Sequence, residues 1–154
     1  MRPADKVLLL LVLALPGCDD PSPAWSITPG VGVRVDGVDV RLGDTLPTRL
    51  EELAGEPPVE RDMDRIGTLV SFPSLHVDAT VRETEVTSIS LEPGFAGTTS
   101  DGVGLGSEEA DVRRAFGEPV PAPFTGHWWY HGRGIGFELS DGRVERVFVV
   151  ATAR

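Results

Sequence analysis

Gly134-Ile135-Gly136-Phe137-Glu138-Leu139-Ser140-Asp141-Gly142-Arg143-Val144-Glu145-Arg146-Val147-Phe148-Val149-Val150 is the stretch whose reading decides the fold. Ile135, Phe137 and Leu139 recur at every second position, and so do Val147 and Val149 beyond Asp141-Gly142. A period of two belongs to a half-buried antiparallel strand, whose side chains point alternately to core and solvent. Asp-Gly supplies the two left-handed residues that a tight hairpin needs. The stretch therefore predicts paired strands over 134–140 and 143–150.

Upstream, residues 127–131 (His127-Trp128-Trp129-Tyr130-His131) are aromatic enough to favour a third strand. At a constant offset of 58 the same order occurs earlier, over 68–72, 75–81 and 85–91. Phe72 then aligns with Tyr130, Val77, Ala79 and Val81 with Ile135, Phe137 and Leu139, and Ile89 and Leu91 with Val147 and Val149. Each strand triplet follows a short amphipathic stretch. Leu46, Leu50 and Leu53 in the first, and Val112, Ala115 and Phe116 in the second, fall on one helical face. Asp44 or Thr45 and Ser107 serve as N-caps, and Pro47 fits the first turn. Gly55-Glu56-Pro57 and Gly117-Glu118-Pro119 are helix stops, glycine ending the helix and proline preventing its continuation.

The fold class read from this order is α+β. It consists of two tandem repeats, 30–92 and 93–154, each a short helix followed by a three-stranded antiparallel meander. Ahead of the first helix, Val31, Val33 and Val35 mirror Val38, Val40 and Leu42 across Asp36-Gly37, an additional hairpin.

The N-terminus carries a different signal. A short basic head with Arg2 and Lys6, an apolar run from Val7 to Leu15, and Leu15-Pro16-Gly17-Cys18 form a secretory signal peptide ending in a lipobox. The apolar run is far short of the roughly 20 residues that span a bilayer as a helix. The motif resembles bacterial lipoprotein signals. It implies cleavage after Gly17, removal of 1–17, and lipid attachment at Cys18, with 18–29 as a Pro- and Ser-containing tether. Each buried methylene contributes about 0.8 kcal/mol, so a diacylglyceryl group holds firmly where one chain would not. The expected location is a membrane-anchored lipoprotein facing the periplasm, with inner or outer membrane left open.

Composition agrees with export. The chain of 154 residues contains a single cysteine, so once Cys18 is lipidated the protein folds without disulfides. Its net charge is −10, and beyond Lys6 every basic residue is arginine. An acidic balance argues against nucleic acid, whose binders cluster Lys and Arg against phosphates. It argues equally against adsorption on anionic lipid headgroups.

The second unit reads Gly106-Ser107, Val112, Gly117-x-Pro119, Pro123-Phe124, Trp128-Trp129-Tyr130, Phe137, Gly142 and Val144-x-x-Val147. This order resembles the SmpA/OmlA (BamE-like) lipoprotein domain, and the tandem arrangement resembles β-lactamase inhibitory proteins. The resemblance implies a helical segment on an antiparallel sheet and a non-catalytic, membrane-tethered binding or scaffold module.

Catalytic chemistry is thin. His127 and His131 are four apart, a spacing that serves one metal on a helix; on a strand it separates them by about 13 Å. The glycine-rich run 101–107 lacks a P-loop lysine, and Glu108 and Glu109 after it repel anions. No Gly-x-Ser-x-Gly elbow or cysteine nucleophile occurs. No catalytic residue, metal ligand or cofactor is assigned.

Binding rests on the aromatics. On a strand, Trp128 and Tyr130 share one face, while His127, Trp129 and His131 share the other. Phe148 and Val150 align with Ser90 and Glu92, so the second unit carries extra apolar groups on a face that is polar in the first. Either that face packs against the first unit, the favoured reading, or it is an open partner patch. His127, Trp129, His131 and Phe148 are the candidate partner-binding residues. The expected function is a non-catalytic protein-binding or envelope-scaffold module with an envelope protein as partner. A small hydrolase or metal-dependent enzyme of the envelope is the alternative, and a small-ligand or lipid carrier a third reading.

Overall fold

A computed structural model describes residues 22–121 and 126–152. The Asp36-Gly37 hairpin forms as its chemistry demands. Asp36 (φ 44°) and Gly37 (φ 82°) supply two successive left-handed residues, and Val35 faces Val38 across the turn. This hairpin joins β2 (Gly32–Val35) to β3 (Val38–Arg41). With β1 (Ser26–Thr28) they make a three-stranded antiparallel sheet in chain order. The segment expected to be a tether thus enters the fold before its end: Ile27 is buried, and its N–H donates to the Thr98 carbonyl at 2.9 Å. Gly17 and Cys18, with the signal segment, lie outside the described residues.

Among the described residues the remaining strands form one sheet of eight. They are β4 (Val59–Asp62), β5 (Thr68–Phe72), β6 (Val77–Arg82), β7 (Glu85–Leu91), β8 (Val120–Pro121), β9 (His127–Tyr130), β10 (Ile135–Ser140) and β11 (Arg143–Val150). Their order across the sheet is β4-β5-β6-β7-β11-β10-β9-β8. Helices are brief: α1 (Arg49–Ala54) and α2 (Glu109–Phe116).

This corrects the expected fold class. The molecule is mostly β, and it is not a pair of repeats that each carry a helix and three strands. Four strands follow each helix, the two groups form one continuous sheet, and a separate sheet precedes them. The fourth strands had no periodic signal for a physical reason. All four residues of β4, Val59-Glu60-Arg61-Asp62, are exposed, so backbone pairing to β5 alone defines the strand. Strand β8 is two residues at the opposite edge, ending on Pro121, which edge strands tolerate. The two groups merge because β7 and β11 would otherwise expose unpaired N–H and C=O groups. They pair antiparallel, with Leu91 opposite Val147 and Ile89 opposite Val149. Local devices do recur at the 58-residue offset: bulges fall at Thr80/Val81 and at Glu138/Leu139.

Helix starts also differ from expectation. Helix α1 opens only at Arg49, because the Asp44 carbonyl accepts the Val86 N–H at 2.9 Å and is held to β7. Leu46 therefore packs on the core from outside the helix. Ser107 has the matching place, its carbonyl accepting the Val144 N–H, and α2 begins at Glu109 behind Glu108. Gly55 ends α1 in the left-handed conformation (φ 70°).

One core joins both sheets. Phe72, Val77, Ile89, Leu91, Ile135, Phe137, Val147 and Val149 point inward from the large sheet. They cluster with Val35 and Val40 of the small sheet, Leu50 of α1 and Val112 of α2. Leu50 and Val112 are each fully buried, contributing about 1.5–3 kcal/mol apiece by the ordinary measure of apolar burial.

Candidate functional site: the outer face of the large sheet

Strand alternation sends the residues between those core positions to the opposite face. Register then lines up Ser71, Asp78, Ser90, Phe148, Gly136 and Trp129 in one row across β5, β6, β7, β11, β10 and β9. The row is polar at the first three places and aromatic beyond them. Gly136 makes this possible. A Cβ there would lie 2.5 Å from Cε3 of Trp129, so the indole rests where a side chain would stand.

Around Trp129 the rings gather into a strip. Phe148 lies 5.5 Å away between centroids and His131 5.6 Å away, the latter within 5° of parallel. His127 stacks on Phe148 at 6.5 Å. His127, Trp129 and Phe148 are half-buried and His131 is exposed. All four candidate residues therefore come together on one face. His131 does so from outside the strand, since β9 ends at Tyr130 and His131 opens a one-turn 3-10 helix closed by left-handed Gly134 (φ 67°).

Trp128 and Tyr130 take the other side. Tyr130 is buried against Phe116 of α2, and its hydroxyl donates to the Gly117 carbonyl at 2.9 Å. Burial raises the Tyr130 phenol above its ordinary pKa. The Arg113 guanidinium sits 4.5 Å from the Trp128 ring, a cation–π contact that ties α2 to β9.

The favoured expectation for Phe148, packing against the first unit, is corrected. The two halves of the sheet meet edge to edge through β7 and β11, so their union does not use this face. Phe148 is instead covered in part by Trp129 of its own row and by His127 of the row beside it.

A second row runs beside the first. His127 faces Glu138, and Glu138 faces Arg146. Arg146 forms ion pairs with Glu138 at 3.2 Å and with Glu92, just past β7, at 2.8 Å. His127 Nε2 is 3.8 Å from Glu138. The hydrogen bond to Glu92 is the chief cause of a raised Arg146 pKa. In the first row, burial pushes the Asp78 carboxyl up. The Ser71 hydroxyl opposes that shift, Glu92 adds to it, and Arg146 opposes it.

Sequence reading missed Asp78, Glu92, Glu138, Arg146 and Gly136. Alternation alone places Asp78 and Glu138 outward, but their neighbours depend on register between distant strands. Among the described residues no group of three or more His, Cys, Asp or Glu is arranged to hold a metal ion. No described helix is long and apolar enough to cross a membrane. Comparison with family models, with curated proteins and with solved structures finds no match.

Proposed function

We propose that this chain is an exported, lipid-anchored module of the cell envelope. In this reading it binds a protein partner, without chemistry of its own, through the outer face of its large sheet. The observation that carries this reading is the strip His131–Trp129–Phe148–His127, partly exposed and bordered by charged groups. Aromatic anchors within a polar rim are the composition of protein–protein hot spots. Pairing apolar rings with carboxylates also gives a surface that is sticky yet soluble. The lipobox at Cys18 supports the location, and the acidic balance of the chain agrees with a role away from nucleic acid.

Site-specific photocrosslinking in native membranes tests the proposal. A crosslinker at Ser90, beside Phe148 in the row, should give one stoichiometric adduct that Trp129→Ala or Phe148→Ser diminishes. A crosslinker at Arg61, on the exposed edge strand β4, should give none. Monomer alone from Ser90 would reject the assignment.

A further inference from the structure

Resting on that reading of the outer face, we propose that its occupant is a basic polypeptide segment. Its arginine side chains lie against the Trp129 strip and pair with Glu138, Glu92 and Asp78.

The argument begins from charge. In the two central rows the described residues bring three carboxylates, Asp78, Glu92 and Glu138, around one guanidinium, Arg146. That guanidinium is already divided between Glu92 and Glu138. Asp78 receives a hydrogen bond from Ser71, and its raised carboxyl pKa reflects burial and the neighbouring Glu92. The face therefore carries an excess of negative charge beside an aromatic surface. Glu138 follows Gly136 by two residues on β10, so it stands on the same face in the row adjoining Trp129.

Arginine matches both features at once. Its guanidinium is planar and weakly hydrated, stacks on indole rings, and offers paired N–H donors to a carboxylate. Other occupants fit less well. A second copy of this chain, net charge −10, would set the same carboxylates against each other. An anionic lipid surface is repelled for the same reason, and a neutral glycan leaves the excess charge uncompensated.

Titration calorimetry on the full lipidated chain in neutral detergent tests the idea. The probes are a hexa-arginine peptide, a Gly-Ser peptide of equal length, hexaglutamate and chitohexaose. Only hexa-arginine should bind, weakening about tenfold or more as salt rises and screens the pairs. Arg146→Gln, which releases Glu92 and Glu138, should tighten binding about threefold or more, by removing the built-in competitor. Arg65→Gln changes net charge equally but lies between β4 and β5, and should leave affinity unchanged. Trp129→Ala should weaken binding about two- to fivefold. Asp78→Asn leaves the Arg146 pairs in place and should also weaken it, so the proposal stays testable if Arg146→Gln fails to fold.

Equal binding of the Gly-Ser peptide or chitohexaose overturns the proposal. So does an equal response to Arg65→Gln and Arg146→Gln, or self-association of the chain through this face. A Ser90 crosslink to a partner without hexa-arginine binding rejects the basic occupant alone. Absence of both rejects the protein-binding reading as well.

Discussion

A methyl group at position 136 would sit 2.5 Å from Cε3 of Trp129, closer than two carbons approach unless one of them moves. Gly136→Ala should therefore lift the indole off β10, at a cost of about 1–3 kcal/mol typical of overpacking. Denaturant unfolding measures the cost, and a changed near-UV circular dichroism signal reports the displaced ring. Asp78, in the same row, makes stability depend on pH. Burial raises its folded carboxyl above the ordinary 3.8, so the folded state holds the proton to higher pH than the unfolded chain does. Its stabilising contribution is complete below the unfolded value and is lost as pH rises through the folded one. Asp78→Asn should thus be more stable than the parent at neutral pH, with the gap closing as pH falls below about 4. Denaturation midpoints across that range decide it. Both residues are plain letters in the sequence. Alternation shows that they point outward, but not that Trp129 lies over one or Glu92 beside the other.

Strands β5–β7 and β9–β11 were legible because each buries one face, which writes a period of two into the chain. Edge strands β4 and β8 were not: all of β4 and Val120 of β8 are exposed, and the strands are defined by backbone pairing. The seam between β7 and β11 carries the opposite weight. Leu91 is fully buried there opposite Val147, so Leu91→Ala should cost about 2–5 kcal/mol by transfer and cavity terms. Val59→Ala on exposed β4 should stay within about 0.5 kcal/mol. Chemical denaturation of the two variants compares them directly, and equal losses would contradict the seam's role. Helices were readable in place but not in length. Asp44 and Ser107 looked like caps, yet both lend their carbonyls to strands β7 and β11.

At the scale of the whole molecule, both sheets and both helices share a single core cluster. Heat or denaturant should therefore give one cooperative transition, with far-UV and tryptophan signals coincident. Two separate transitions would mean that the halves fold independently. The proposed anchor belongs to this scale too. Cys18→Ser should move the protein from the membrane to the soluble fraction while leaving hexa-arginine affinity intact; a variant still bound to membranes would refute the lipid assignment. What the sequence by itself determined is local: strand period, Asp-Gly hairpins and glycine helix stops, each set by neighbours a few residues apart. Only the tertiary structure decided that β7 pairs with β11, and that Ser71, Asp78, Ser90, Phe148, Gly136 and Trp129 form one row. The reason is physical. Strand order and register are fixed by hydrogen bonds and core packing between segments far apart in the chain, and no local pattern records which edges will meet.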